Sequence, residues 1–330
     1  MDILYTTNKK YIDMMLASIY SIYLNGGLNH ITLHIVYNDF SIDNILYIEK
    51  FLAKLDNVDF HFYFLDEREI DKYNIPKWRD SHIANARLFF QSILKDKVPK
   101  KLLYIDADTI CVDRIDGLTF YDKAPIYAVK DSLHEAYTQR FSELDKYYNS
   151  GFLYIDTTKW DNIDAENRIV EFVLNCPWNL VYPDQDILNC ALSNDIGELG
   201  VEYNFPPHVY LFNDNELRKY HSHRGLSAEE ILNAKDKVKI CHTCGISGIK
   251  PWSKNNINPY NELFMEYLLM VNPDFKREDL CFKDMMLSRN KRLYKEWLLF
   301  RNSVSSMLVV DGQSQNKSLS KTNMEFNAKK

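Results

Sequence analysis

The chain has 330 residues, 46% of them hydrophobic and 14% aromatic, and it is rich in Tyr (22) and Phe (18) but poor in Gly (10). This composition is typical of a globular protein with one large core or two smaller ones. From Lys276 onward there are 12 Lys and Arg against 6 Asp and Glu, so the net charge of −6 conceals an acidic body of −12. An acidic body argues against nucleic acid as the main partner. The basic C-terminal segment is expected to contact an anionic surface or molecule.

The sequence predicts a cytoplasmic protein. The N-terminus has an acid at position 2 and no long apolar segment, which argues against a signal peptide. No stretch approaches the roughly 18 to 20 continuous apolar residues of a membrane span. The six cysteines are dispersed and are expected to be reduced thiols; they are Cys111, Cys176, Cys190, Cys241, Cys244 and Cys281.

The first third of the chain is predicted to alternate between strands and helices. Strands are predicted at 2–6, 31–37 and 58–65, and helices at 11–25, 42–55 and 84–94. Gly26-Gly27 is expected to end the first helix, and Ser41 to cap the second. The alternation predicts an α/β fold with a mostly parallel sheet covered by helices on both faces.

The second half is less regular. Strands are predicted at 124–129 and 151–155, and helices at 163–175 and 185–193. Residues 1–275 are expected to form the main domain, 276–310 a basic amphipathic helical extension with its helix from about Phe282, and 311–330 a disordered tail.

A pair of acids follows a further apolar strand at Leu102–Ile105. Asp106 and Asp108 are separated only by Ala107, and residues i and i+2 of an extended backbone point to the same side. Two carboxylates at one point favour a hard divalent ion such as Mg²⁺ or Mn²⁺, which keeps positions open for phosphate oxygens. The alternative is an ordinary strand end followed by a solvated turn.

Polar residues also follow the opening strand, as Thr6-Thr7-Asn8. Ligands of parallel α/β sheets bind at the carboxyl ends of the strands. We therefore expect this segment and the two aspartates to line one cleft.

Three further candidates each have a structural alternative. Asn149-Ser150-Gly151 is either a turn that leads into a strand or the source of an amide for a sugar hydroxyl. Asp184-Gln185-Asp186 opens a helix, where carboxylates are favoured for their charge alone. Arg87 lies in the helix before the central strand and is either on a solvated face or in the site.

The segment Cys241-His242-Thr243-Cys244-Gly245 is ambiguous. A single C-x-x-C is redox-active or half of a zinc site, and no second pair completes a zinc set. His242 is either a core histidine or a third metal ligand beside the aspartates. Lys250 is either a surface lysine or a cation that neutralises a leaving diphosphate.

Taken in order, these motifs resemble glycosyltransferase family 8, the retaining transferases that include bacterial lipopolysaccharide galactosyltransferases and glucosyltransferases, and glycogenin. The resemblance covers about residues 1–275. It rests on Thr6-Thr7-Asn8, Ala86-Arg87-Leu88, Tyr104-Ile105-Asp106-Ala107-Asp108, Asn149-Ser150-Gly151-Phe152, the run from Asp184 to Asn189, and the run from His242 to Trp252.

The resemblance implies a GT-A-type, Rossmann-like fold and a UDP-galactose or UDP-glucose donor, with a glycan, a lipid-linked glycan or a protein as acceptor. It implies Mn²⁺ or Mg²⁺ held by Asp106, Asp108 and His242 through the D-A-D motif that includes Ala107. Thr6 and Asn8 would face the uridine, Arg87, Asn149 and Asp184 the donor sugar, and Gly245 and Lys250 the diphosphate. Gln185 would lie under the anomeric carbon, so that Gln185 and Asp184 are the expected catalytic pair.

Three features depart from the family pattern. Lys9-Lys10 stand where an acidic or amide residue is common, and Ala84-Asn85 replace the usual Thr and Tyr. The spacing H-x-x-G-x-x-x-x-K is longer by two than usual, so that Lys250 needs a bulged loop to reach phosphate.

Two other functions remain as alternatives. A metal-dependent phosphatase would use Asp106 as nucleophile, but that fold usually places the motif on its first strand. A non-catalytic sugar-nucleotide binding module is the other.

The basic extension fits peripheral attachment to the inner face of an anionic membrane, with a solvated helix as its alternative.

Overall fold

A computed structural model describes residues 1–78, 80–132, 141, 143–176, 180–220, 224–243, 250–254, 260–280, 292 and 296. The predicted extension and tail lie outside these residues, apart from 276–280, Arg292 and Glu296. Gly245 and Cys244 also lie outside them.

A seven-stranded sheet organises the fold. Its strands are β1 (Asp2–Thr7), β2 (Ile31–Tyr37), β3 (Val58–Phe64), β4 (Lys101–Ile105), β6 (Ile126–Lys130), β7 (Tyr148–Asp156) and β8 (Ile196–Glu198). They lie in the order β3-β2-β1-β4-β7-β6-β8. Only β7 runs against its neighbours in this sheet, β4 and β6, so the predicted mostly parallel sheet is confirmed.

Helices and short helical turns connect the strands. The α-helices are Ile12–Asn25, Ile42–Leu52, Arg68–Asp71, Phe90–Leu94, Thr157–Asn162, Ala165–Asn175, Pro183–Leu192, Asp214–Tyr220, Ala228–Ala234 and Asn261–Val271. Ser41 caps its helix through a reciprocal box, in which its Oγ accepts from Asn44 N–H and its N–H donates to Asn44 Oδ1. After the first helix Gly27 has φ of +67°, a conformation that glycine adopts at little cost.

Both faces of the sheet are buried, as alternating side chains of one strand show. Ile3 and Tyr5 of β1 belong to one apolar cluster, whereas Leu4 between them belongs to another. Since successive side chains of a strand point to opposite faces, each cluster is the core on one side of the sheet.

A small second sheet joins distant parts of the chain. Strand β5 (Thr109–Cys111) follows directly after the paired acids and runs antiparallel to β9 (Ile240–His242). Thr109 is opposite His242 in this pairing. The pairing therefore brings His242 to the carboxyl end of β4.

Two local predictions differ from the structure. The segment predicted as a helix at 84–94 is a 3₁₀ helix (Asn85–Phe89) followed by a short α-helix. Asn149-Ser150-Gly151 lies within β7 and is not a turn before it. None of the helices in the described part of the chain is long and apolar enough to cross a membrane.

Candidate active site

Asp106 and Asp108 leave the end of β4 and are held there by backbone hydrogen bonds. The N–H of Asp106 donates to Gly151 O at 2.9 Å, and the N–H of Thr243 donates to Asp108 O at 2.9 Å. Ala107 between them is partly buried. The first bond ties the motif to β7 and the second ties it to the segment that follows β9.

Asp106, Asp108 and His242 converge on one point. His242 Nε2 is 3.2 Å from Asp108 Oδ1 and 3.6 Å from Asp106 Oδ2. One ligand atom from each of the three residues lies within 4.8 Å of the others. His242 and Asp108 are buried, with 4% and 7% of their surface exposed, so this histidine is not an isolated core residue.

The charges within the cluster shift the pKa values of its members. Burial alone would raise the pKa of Asp108, but the Lys250 ammonium and the His242 ring outweigh it and hold that pKa well below its usual range. Burial alone would lower the pKa of His242, but its hydrogen bond to Asp108 raises that pKa. Both shifts show a site that already stabilises positive charge beside Asp108.

Lys250 reaches the same carboxylate despite its unusual spacing from His242. Its Nζ donates a hydrogen bond to Asp108 Oδ2, and it lies 5.7 Å from the ring centroid of Trp252. The structure thus places a lysine cation at the edge of the acidic pair. The predicted contact of Gly245 with a diphosphate lies outside the described residues.

Arg87 lies inside the site and not on a solvated face. It is 5% exposed, and its guanidinium is 3.0 Å from Asp106 Oδ1 and 3.3 Å from Asp184 Oδ2. The guanidinium also lies 4.4 Å from the ring centroid of Tyr104. Burial alone would lower the pKa of Arg87, but the two carboxylates outweigh it and raise that pKa, so the side chain is a permanent cation.

Asp184 and Gln185 face β7 from the start of helix Pro183–Leu192. Ser150 Oγ donates to Asp184 Oδ2 at 2.7 Å, and Ser150 N–H donates to Gln185 Oε1 at 3.1 Å. Asp186 instead accepts from the N–H groups of Val181 and Tyr182 at the start of the helix. Of the three residues, Asp186 thus bonds the backbone just before the helix, whereas Asp184 and Gln185 face Ser150.

Asn149 connects the site to Asn204, a residue that sequence reasoning missed. Its Nδ2 donates to Asp131 Oδ2 at 2.7 Å, and its Oδ1 accepts from Asn204 Nδ2 at 2.9 Å. Asn204 Oδ1 is 2.9 Å from His242 Nδ1. Asn204 follows a three-residue 3₁₀ helix, Val201–Tyr203, in an irregular part of the chain, where a lone asparagine gives no local signal.

Thr6 and Asn8 lie at the carboxyl end of β1, beside β4. Thr6 Oγ1 is 3.3 Å from Tyr104 Oη, which in turn donates to Asp106 Oδ1 at 2.5 Å. The Asn8 side chain accepts from Lys10 N–H at 3.0 Å and so caps a 3₁₀ helix. Thr6 is thereby linked to the acidic pair, whereas the oxygen of the Asn8 amide is used locally.

The sequence profile named glycosyl transferase family 8 matches residues 2–256. The chain belongs to this family. It is 30% identical over 197 residues to general stress protein A of Bacillus subtilis, across 57% of this chain and 66% of that protein. It is 26% identical over 321 residues to a lipopolysaccharide 1,2-glucosyltransferase of Escherichia coli K12, across 94% of this chain and 88% of that enzyme.

Solved structures show the same fold. A galactosyltransferase, LgtC, in complex with donor and acceptor sugar analogues superposes with a TM-score of 0.69 at 23% identity, across 82% of this chain and 96% of that chain. Glycosyltransferase GlyE of Streptococcus pneumoniae superposes with a TM-score of 0.60 at 19% identity, across 82% and 60% of the two chains. The GT-A fold predicted from the sequence is confirmed, and so is a retaining hexosyltransferase of family 8.

The cysteines of this transferase do not enter the described cation cluster. Among the described residues that cluster consists of Asp106, Asp108 and His242. Cys241 is fully buried in β9 beside it. Cys111 is a buried free thiol.

Proposed function

We propose that this transferase moves a hexose, galactose or glucose, from a UDP-sugar to a glycan, lipid-linked or protein acceptor with the help of Mn²⁺ or Mg²⁺. The observation that carries the proposal is the convergence of Asp106, Asp108 and His242 within 4.8 Å. It is supported by similarity to a lipopolysaccharide glucosyltransferase over most of the chain. Burying charged groups costs free energy, and a site that bound a neutral sugar without a metal would not need these two acids and the imidazole together.

The three side chains suit a divalent ion. Carboxylate oxygens are preferred ligands of Mg²⁺ and Mn²⁺, and imidazole is an acceptable third ligand for Mn²⁺. Gly151 contributes by having no side chain, because a β-carbon there would come within 2.6 Å of Asp106 Oδ2. Asp106, Asp108 and His242 are thus the residues that would hold the ion.

Charge develops on the diphosphate as the bond to the sugar breaks. The ion, when bound, supplies positive charge that stabilises this leaving group. Lys250 is the protein's own cation at the same place, since it already lies against Asp108. Arg87, paired with Asp106 and Asp184, holds both carboxylates in position.

The side chains beside the expected reacting carbon support attack from the same face as departure of UDP. Gln185 carries an amide, which is a poor nucleophile, and its Oε1 accepts from Ser150 N–H. Asp184 is a carboxylate but is engaged by Arg87 and Ser150 Oγ. We therefore expect retention without a covalent glycosyl-enzyme, and mass spectrometry of the enzyme during turnover should detect no added hexose.

The deciding experiment is a panel of UDP-sugars with Mn²⁺, in which UDP release is measured with no acceptor present. We expect one UDP-hexose to be hydrolysed, and Asp106→Asn and Asp108→Asn each to abolish the reaction. Asp113→Asn is the matched control, because Asp113 is an exposed acid just after β5. Full activity of either site variant, or no UDP release from any sugar, would contradict the proposal.

We also propose that the basic segment after Lys276 attaches the enzyme to an anionic membrane. Its sequence combines apolar residues such as Leu293 and Trp297 with an excess of Lys and Arg, a pattern that favours anionic lipid surfaces. Deletion of the residues after 280 should release the protein from vesicles that contain anionic lipid. It should leave UDP release unchanged, because it spares Glu278, whose backbone bonds that of Trp252 and Lys254. Equal binding of the truncated and full chains would reject the attachment.

A further inference from the structure

The side chain of Asn204 lies behind the His242 ring, on the side away from the two carboxylates. Its Oδ1 is 2.9 Å from His242 Nδ1, whereas Nε2 of the same ring is 3.2 Å from Asp108 Oδ1. The backbone maintains this placement, because Phe205 N–H donates to Ile240 O at 2.8 Å and His242 N–H donates to Phe205 O at 3.0 Å. Asn204 is only 5% exposed, so its amide depends on partners within the protein.

The direction of the hydrogen bond between Asn204 and His242 follows from groups whose roles are fixed. Gly151 N–H can only donate, and it donates to Asn149 Oδ1 at 2.9 Å. The Asp131 carboxylate accepts from Asn149 Nδ2 at 2.7 Å. Both contacts orient the Asn149 amide in the same way, so Asn204 must present its Nδ2 to Asn149 Oδ1, as it does at 2.9 Å.

Asn204 Oδ1 is then left to face the ring, and an oxygen of an amide can only accept. His242 Nδ1 therefore carries a proton, and in the neutral ring Nε2 presents its lone pair to the space between Asp106 and Asp108. This is the tautomer that a cation ligand requires. Histidines that bind metals commonly donate their other N–H to an acceptor in this way.

We propose that Asn204 is a positioning residue for the cation: it selects the Nδ1–H tautomer of His242 and aims Nε2 at the two carboxylates. Asn149 and Asp131 fix the orientation of the Asn204 amide. The inference rests on the proposed metal-dependent function and adds a residue that acts through His242 without itself touching the ion.

The test uses the full chain with Mn²⁺ alone as the probe. Asn204→Leu keeps the size of the side chain and removes the acceptor, whereas Asn204→Asp keeps an acceptor opposite Nδ1. We expect Asn204→Leu to weaken Mn²⁺ binding about 10- to 100-fold, the usual effect of losing such a partner. Asn204→Asp should restore part of the affinity, because its carboxylate accepts from Nδ1 but no longer donates to Asn149 Oδ1. Calorimetry gives the affinities, and the unfolding temperature of each variant identifies a loss of fold.

A second measurement reads the ring directly. In protein labelled with ¹⁵N at histidine, the signals of His242 are those missing from His242→Gln. At a pH high enough for the ring to be neutral, Asn204→Leu should shift these signals toward the tautomer with the proton on Nε2, while Asn204→Asp should leave them as in the wild type. A role of Asn204 in packing alone would not move the tautomer.

The outcomes separate this inference from the proposed function. Equal Mn²⁺ affinity in the wild type and Asn204→Leu, or an unchanged tautomer in Asn204→Leu, overturns the inference and leaves the function standing. Equal losses in the Leu and Asp variants assign Asn204 to packing and also overturn it. If the wild type binds Mn²⁺ no better than Asp106→Asn does, the proposed metal site falls, and the inference falls with it.

Discussion

A β-carbon added to Gly151 would lie 2.3 Å from Cε1 of His242, although the two residues belong to different sheets. The same carbon would lie 2.6 Å from Asp106 Oδ2. The backbone of Gly151 is also held on both sides, since its N–H donates to Asn149 Oδ1 and its carbonyl accepts from Asp106 N–H. A glycine at this place therefore gives the ring and the carboxylate the room to approach each other.

Gly151→Ala should disrupt the cation site. We expect it to abolish measurable Mn²⁺ binding, and to lower the free energy of unfolding by about 1–3 kcal/mol because a methyl group is forced into a packed site. Gly117→Ala is the matched control, since among the described residues its β-carbon would meet only the Tyr203 hydroxyl, at 3.2 Å. Calorimetric Mn²⁺ titration and thermal unfolding measure both effects. Wild-type Mn²⁺ affinity in Gly151→Ala would show that the ring and the acid do not meet at this glycine.

Removing the Arg87 guanidinium should destabilise the protein. Arg87→Met leaves the buried carboxylate of Asp184 and the partly buried carboxylate of Asp106 without this cation, and loss of one partner of a buried pair costs about 3–5 kcal/mol. Arg168→Met is the comparison, because Arg168 pairs with Asp195 with 36% of its side chain exposed, and such pairs contribute about 0–1 kcal/mol. Denaturant unfolding measures both. Similar losses in the two variants would contradict a special role for the buried pair.

Lys250→Met should separate cation binding from turnover. Lys250 Nζ donates to Asp108 Oδ2, so it competes with an incoming ion for this oxygen. Without it we expect Mn²⁺ alone to bind a few-fold to about tenfold more tightly, since like charges repel at this range. UDP release should nevertheless slow, because the leaving diphosphate loses its lysine. A variant that binds Mn²⁺ more weakly than wild type would show that Lys250 supports the ion.

Gln185→Ala tests the absence of a covalent nucleophile. Loss of a residue that only stabilises the transition state lowers turnover about 10²- to 10³-fold, whereas loss of a covalent nucleophile costs about 10⁶-fold. We expect the smaller loss, because the Gln185 amide accepts from Ser150 N–H and offers no nucleophilic oxygen. Steady-state UDP release distinguishes the two. A 10⁶-fold loss would contradict same-face attack.

The sequence predicted the parts of the fold that depend on long periodic segments. Strand β2 at Ile31–Tyr37 and the helix capped by Ser41 have clear patterns. The strand has the predicted bounds, and the helix begins where predicted but ends at Leu52 instead of 55. Strands β5, β8 and β9 were missed because each has only three residues, which is too short for a pattern. Because β5 and β9 were not predicted, the pairing that brings His242 close to Asp108 was not predicted either.

In the site, too, residues with a local sequence pattern were predicted and residues placed by remote neighbours were not. The convergence of Asp106 and Asp108 was predicted from their i, i+2 spacing and is found, although the chain turns at Ala107 and Asp108 and is not extended there. Arg87 and Asn204 could not be assigned in this way, because their burial depends on neighbours that are remote in sequence, such as Asp184 and His242. The expected roles of Thr6, Asn8 and Lys250 toward the donor stay predictions.

The pairing of β5 with β9 means that the two acids and their imidazole partner are synthesised far apart and meet only when the chain between them has folded. An N-terminal fragment that ends before β9 would contain the whole D-x-D motif and still lack a chelating site. Occupancy by a divalent ion should therefore report completion of the native structure. Because only that structure binds the ion, added Mn²⁺ should raise the melting temperature of the full chain and leave that of His242→Gln unchanged.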